Sequence, residues 1–172
     1  MFNPEAIEMQ DIQTPVLQWA EYIATVKEPQ FREAYEASYR TYVPKSAIIN
    51  EIKLWLAKTN ETIQIVAFGA KWCPDCQVQM PRLVKIAEGV NDLRFSTGLI
   101  GGLMTKIPTQ RKAGEPIWKS PPSPPESVDS SFDMSHIPIF YIFGIKGKCI
   151  GRIVERPKKS TIEEDILAIL MQ

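Results

Sequence analysis

Two thiols three residues apart, Cys73 and Cys76, close the stretch Phe68-Gly69-Ala70-Lys71-Trp72-Cys73-Pro74-Asp75-Cys76. A Cys-x-x-Cys pair suits either redox exchange or metal binding, because a thiolate is both a nucleophile and a soft ligand. Upstream, Ile63, Ile65, Val66, Ala67 and Phe68 form a short apolar run that predicts a buried strand. Downstream, Gln77 to Glu88 carries Val78, Leu83, Val84, Ile86 and Ala87 near helical spacing. The cysteines are therefore expected where a strand hands over to a helix. Unpaired backbone N–H groups and the positive end of the helix dipole favour an anion there, so the Cys73 thiolate is stabilised relative to its thiol. Cys76, one turn on, faces the same way and can close a disulfide with it.

Neighbouring residues set the tuning. Asp75 places a negative charge beside the developing thiolate and opposes the dipole, so with Pro74 it should make the couple lean reducing. Trp72 fits equally a core position or an apolar platform beside the nucleophile. The competing metal reading asks for four ligands, and beyond the pair the chain offers only Cys149 and His136, in no second ligand motif. His136 is the only histidine and reads as an exposed loop residue, with a thiolate-stabilising or ligating role as the alternative. Cys149 opens a predicted strand and reads as a buried, inert thiol. Arg152, Arg156, Lys158 and Lys159 read as a solvated edge rather than a docking patch.

A chain of 172 residues, 44% of them hydrophobic, suffices for one packed core plus an extension and is too apolar for overall disorder. Lys plus Arg equals Asp plus Glu at 20 each, so nothing in the charge balance argues for nucleic acid or an anionic membrane. The acidic start from Met1 to Glu8 lacks a basic stretch followed by an apolar run, and no segment approaches a membrane span. A cytoplasmic location is the expectation.

Residues Thr14 to about Lys58 read as mainly helical. Thr14-Pro15 predicts an N-cap with proline at the first helical position, followed by a stripe of Val16, Leu17, Ala20, Ile23 and Ala24. Glu28-Pro29 breaks it. Phe31, Tyr35 and Tyr39 recur every fourth residue and predict an aromatic face packed on neighbouring helices. Tyr42-Val43-Pro44 is a further break with the makings of a short edge strand. Ile48, Ile49, Ile52, Trp55 and Leu56 define an amphipathic helix ending near Thr59-Asn60. After a turn over 88–92, Leu93 to Thr97 alternates like a half-buried strand, while Leu99 to Met104 fits a loop or a helix start. From Pro108 to Ser131 the proline density excludes a packed helix or central strand. A solvated, partly extended loop is predicted, with a Pro-rich ligand for a partner domain as the alternative. Ile139–Phe143, the Gly144–Lys148 turn and Cys149–Val154 form a predicted hairpin. Ser160 or Thr161 then caps a last helix that buries Ile162, Ile166, Leu167, Ile169 and Leu170.

This order of elements, with its Trp-Cys-x-x-Cys at a helix start, resembles the thioredoxin family. Pro81 stands where the family has a proline that kinks the active-site helix. Ile137-Pro138 matches its cis-proline, and Gly144 with Gly147 its hairpin turn. The resemblance spans about Ile48 to Leu170. It implies an α/β thioredoxin-like fold with a mixed central sheet flanked by helices and an N-terminal helical extension. In that division, residues 1–44 are the extension, 45–172 the domain, and about 105–135 a Pro/Ser-rich insertion near the mouth of the site.

Trp-Cys-Pro-Asp-Cys is similar to the form found in thioredoxin-related proteins of the cytosol, which implies reduction of disulfides with electrons from a reductase. Cys73 would attack and Cys76 resolve, with Trp72, Pro74 and Asp75 tuning the pair. Ile137 and Pro138 would offer backbone to an extended substrate. The resemblance has one departure of consequence. The family keeps a buried Asp six residues before the first cysteine, and here that position is Ala67. Deprotonation of Cys76 then falls to water, Asp75 or another carboxylate, which implies a slower or narrower reaction.

The expected function is thus a thiol–disulfide oxidoreductase acting on protein or small-molecule disulfides. It needs an electron-donating reductase or thiol and no cofactor beyond the Cys73–Cys76 disulfide. A redox-regulated binding module and a structural zinc domain are the alternatives.

Overall fold

The computed structural model describes residues 1–172. Four strands form one mixed sheet in the order β2-β1-β3-β4. Strand β1 (Ile63–Phe68) runs parallel to β2 (Phe95–Ile100) and antiparallel to β3 (Ile139–Phe143), which pairs antiparallel with β4 (Cys149–Val154). The apolar runs of β1 and β3 suit these two central places, where both faces are covered. Five helices join the sheet: α1 (Trp19–Thr25), α2 (Pro29–Thr41), α3 (Ser46–Thr59), α4 (Pro74–Val90) and α5 (Ile162–Leu170). The mixed α/β architecture agrees with the expectation.

Cross-strand register separates the two faces. Val66 lies opposite Tyr141 and Phe68 opposite Ile139, so these four share one face, whereas Ile65 and Ile142 share the other. The Ile65 face is covered by α4 and α5; Gly151, opposite Ile142, lies directly under Ile169 of α5. Helix α2 packs on α4, and α3 contacts both α4 and α5. Asn60 and Asn91 end α3 and α4 in the left-handed conformation, which asparagine tolerates.

No α-helix follows β2, and the Val66 face is instead covered by aromatics from distant segments. Phe132 stacks edge-on against Phe68 and Tyr141, with centroids 6.2 and 5.4 Å apart, and Phe2 lies 6.0 Å from Tyr141. The Tyr141 hydroxyl donates to the Phe132 carbonyl over 2.6 Å. This corrects in part the expectation of a solvated loop over Pro108–Ser131, of which residues 108–116 are exposed as read. The segment lacks long regular structure, yet Trp118, Ser123, Glu126 and Ser127 within it are buried, as are Phe132 and Met134 just after it. Trp118 Nε1 donates to the Met134 carbonyl over 2.6 Å. Proline density rules out a helix but not a folded, anchored loop.

Other local expectations are adjusted. Thr14-Pro15 does not begin α1, whose N-cap is Gln18. Leu17 is instead extended and exchanges both backbone hydrogen bonds with Leu99, over 2.9 and 2.8 Å, where the free edge of β2 offers partners. Val16 then rests on Gly98, where a Cβ would lie 1.9 Å from its Cγ1. Tyr42-Val43-Pro44 forms no strand; the Tyr42 hydroxyl donates to the buried carboxylate of Glu163. Leu99 and Ile100 belong to β2, and α4 runs to Val90. The hairpin and Thr161-capped α5 stand as read.

Candidate active site

Cys73 is the N-cap residue of α4, and its sulfur accepts a hydrogen bond from the Cys76 N–H over 3.3 Å. Sulfur here takes the place of the oxygen usual at an N-cap, and the helix end stabilises it as an anion. Pro74 occupies the first helical position, where its missing N–H costs nothing. Both cysteines are free thiols, Cys73 being 6% exposed and Cys76 fully enclosed, so only Cys73 can meet a partner.

The pair is electrostatically unequal. A hydrogen bond from the Cys76 thiol, helped by the backbone N–H groups of Cys76 and Asp75, holds Cys73 below the usual thiol range against desolvation and the Asp75 carboxylate. Burial, reinforced by Cys73, pushes the Cys76 thiol well up. Near neutral pH the arrangement therefore offers one primed nucleophile and one protonated thiol. Cys149 is buried and its thiol pushed up by burial, matching an inert core residue.

Asp75 lies in the first turn of α4, and its carboxylate meets Arg156 Nε at 3.6 Å. The reading of the basic edge as solvated holds for Arg156, which is exposed and pairs with Asp75 at the surface, and is corrected for Arg152. Arg156 neutralises part of the Asp75 charge. Arg152 donates to the carbonyls of Phe132 and Asp133 and covers the Phe2 ring at 3.9 Å.

Ile137-Pro138 is a cis peptide beside the pair, and Cys73 Sγ lies 3.8 Å from the Ile137 carbonyl, to which it donates only in its thiol form. The Ile137 N–H has no hydrogen-bond partner. His136 is exposed and its Nδ1 pairs with the neighbouring Ser135 hydroxyl at 2.9 Å. No three His, Cys, Asp or Glu side chains gather in one place, so Cys149 and His136 do not complete a tetrahedral set with the pair.

Trp72 is not a core residue. It is 38% exposed and tethered by its Nε1, which donates to the Leu103 carbonyl over 3.1 Å. Trp72 and Lys71 border a cleft of about 500 Å³ whose lining includes neither cysteine. The walls come from Thr14, Pro15 and Leu17, from Tyr22 and Thr25 of α1, from Ile100 to Met104, and from Pro122. The Thr14 wall is fixed by the insertion. The carboxylate of Glu126, 2% exposed, accepts from the N–H groups of Gln13 and Thr14 and from the Thr14 hydroxyl, over 2.7–2.8 Å.

Sequence reasoning missed one feature of the site. The hydroxyls of Tyr22 and Tyr35, both inside the core, lie 2.8 Å apart, and Tyr35 bonds the Ala70 carbonyl three residues before Cys73. Tyr35 does sit on a helix face packed against its neighbours, as expected. The available signal was its polar tip, because a buried tyrosine hydroxyl needs a partner.

Residues 16–99 match the family model for thioredoxin. The match begins inside the segment read as an extension and ends before the insertion. A protein of unknown function from Pseudomonas aeruginosa has a similar structure, with a TM-score of 0.65 at 14% identity over 96% of this chain and 98% of that one. An HIV epitope-scaffold is also similar, with a TM-score of 0.60 at 16% identity over 96% of this chain and 88% of that one. No curated protein matches the chain.

Proposed function

For this chain of thioredoxin-like fold, we propose thiol–disulfide exchange as its activity, with Cys73 attacking and Cys76 resolving. The observation that carries the reading is the inequality of the two thiols. Cys73, at the helix N-terminus, is held toward its thiolate, while Cys76 behind it is enclosed and protonated. Cys73 attacks one sulfur of a substrate disulfide, the substrate S–S bond breaks, the other sulfur leaves as the first thiol, and a mixed disulfide with Cys73 remains. Cys76 then displaces the second half, which leaves as a thiol, and the Cys73–Cys76 disulfide stores the oxidation until an electron-donating reductase or thiol returns it to the dithiol.

Substrates approach over Cys73. The unpartnered N–H of Ile137 beside Pro138 can receive an extended peptide strand, and the apolar cleft beyond Trp72 can receive a neighbouring side chain. Protein or small-molecule disulfides are thus the substrate class, and the cytoplasm the proposed compartment, where dithiols are kept reduced. No helix is long and apolar enough to cross a membrane.

Reduction of insulin disulfides by dithiothreitol, followed by turbidity, tests the activity. The wild type accelerates it, Cys73→Ser abolishes the acceleration, and Cys76→Ser accumulates a mixed disulfide on Cys73 without turnover. Full turnover by Cys76→Ser would contradict the assigned roles. Titration against glutathione is expected to give a potential on the order of −270 mV; a value nearer −150 mV would replace the reductase reading by an oxidase or isomerase.

A further inference from the structure

The cleft beside Trp72 is assembled from parts distant in sequence: the extended stretch before α1, the end of β2 and Pro122 of the insertion. Its polar side chains are already engaged within the protein. The Thr14 hydroxyl donates to Glu126, the Tyr22 hydroxyl pairs with Tyr35, the Thr25 hydroxyl donates to the Tyr22 carbonyl, and the Lys71 ammonium pairs with Glu28. The one charge in the lining is thus neutralised, and the surface left to a ligand is chiefly apolar. Trp72 and Met104 stay exposed there, apolar area that a ligand would cover.

The free polar groups of the cleft belong to the backbone. Leu99 faces away from β1 and exchanges both its hydrogen bonds with Leu17, and Gly101, two residues on, falls at the next such position. In the same register it would meet Pro15, which has no N–H to give. Neither the N–H nor the carbonyl of Gly101 has a backbone partner. The Tyr22 ring closes under this residue, where a Cβ would lie 2.9 Å from its Cε2. An apolar hollow therefore lies beside an unpaired piece of strand edge.

We propose that this cleft is a specificity site for peptide disulfides, taking an apolar side chain near the substrate cysteine while the substrate backbone pairs with Gly101. The inference rests on the thiol–disulfide exchange reading and narrows its substrates to polypeptides. Trp72 adjoins Cys73, so a side chain in the cleft and a sulfur over Cys73 belong to one short stretch of substrate. A leucine or phenylalanine side chain buries apolar area against these walls, whereas a small charged disulfide finds no unpaired counter-charge. The Cys73 thiolate attacks the peptide sulfur, the substrate S–S bond breaks, and its other half leaves as a thiolate. Cys76 then gives its proton to water and attacks the Cys73 sulfur; the bond from Cys73 to the peptide breaks, and the departing peptide thiolate takes up a proton.

The test uses the reduced full-length protein and short end-blocked peptides whose single cysteine is joined by a disulfide to 2-nitro-5-thiobenzoate. Leucine is walked through the positions on either side of the cysteine in an alanine background, and release of the coloured thiolate is followed by stopped flow. In the wild type, leucine at one of these positions should raise the second-order rate about tenfold over the all-alanine peptide. Thr25→Trp, which narrows the cleft from α1, should bring that ratio within about twofold of unity, and Met104→Glu should favour lysine over leucine at the same position. Each ratio is taken within one protein, and either variant serves alone if the other fails to fold. Equal leucine and alanine rates at every position in the wild type would overturn the proposal, as would a leucine preference that survives in a folded variant. The exchange reading is checked separately with 5,5′-dithiobis(2-nitrobenzoate), from which the wild type should release two coloured thiolates and end with a Cys73–Cys76 disulfide. Release of one, with a lasting adduct on Cys73, would overturn that reading and the proposal with it; release of two without a leucine preference overturns the proposal alone.

Discussion

The backbone N–H of Cys76 donates to the sulfur of Cys73 over 3.3 Å, so the first turn of α4 holds the charge of the residue that caps it. Iodoacetamide should therefore modify Cys73 at pH values below the ordinary thiol range of about 8.5, where Cys76 and Cys149 stay unmodified. Peptide mapping of the singly alkylated protein reads the outcome. Earlier labelling of Cys76 would reverse the order of the pair.

The reduced protein should lose stability in alkali. Cys76 has a raised folded pKa, so above about pH 8.5 the unfolded chain releases its proton while the folded chain keeps it, and stability falls as pH rises. Tyr22 and Tyr35, both held up by burial, add a loss of the same sign above about pH 10. Cys73, with a lowered folded pKa, contributes stability that is present above its unfolded pKa and lost as pH falls through the folded one. Urea midpoints of wild type and Cys76→Ser, both kept reduced, separate the contributions. The wild-type midpoint should drop between about pH 8 and about pH 9.5, and Cys76→Ser should drop less. Equal curves for the two proteins would rule out this origin.

Asp75 is a charge set against the Cys73 thiolate and only partly offset by the exposed Arg156, which salt screens. Asp75→His should stabilise the thiolate and raise the reduction potential by roughly 30 mV or more, equivalent to about tenfold in the exchange equilibrium. A glutathione redox titration that gives the wild-type potential would dismiss the influence of this carboxylate.

Glu126 accepts three hydrogen bonds from Gln13 and Thr14 while itself buried. Glu126→Ala strands those donors and should destabilise the protein by about 3 kcal/mol, whereas Glu126→Gln keeps acceptors for some of them and should cost less. Urea unfolding measures the difference. Hydrogen exchange should quicken first at Leu17, whose bonds to Leu99 depend on the same segment. Unchanged protection there would mean that the cleft wall holds without the insertion.

The sequence by itself determined whatever depends on neighbours along the chain. The strand before the thiols, the helix after them and the β-hairpin were legible because period and turn chemistry act within a few residues. Cys73 at a helix N-terminus followed from the same local logic. Tertiary structure decided the rest. Tyr35 was legible as an apolar face, but its hydroxyl finds Ala70 across 35 positions, and Glu126 finds Thr14 across 112. The proline-rich segment carried a local prohibition on helix and no local statement of burial. Its fold follows from a sheet face that needed covering and from Phe132, Trp118 and Glu126 finding partners there. Such contacts are chosen by the complementarity of surfaces that meet only when the chain has folded, and no period or cap in the sequence encodes them.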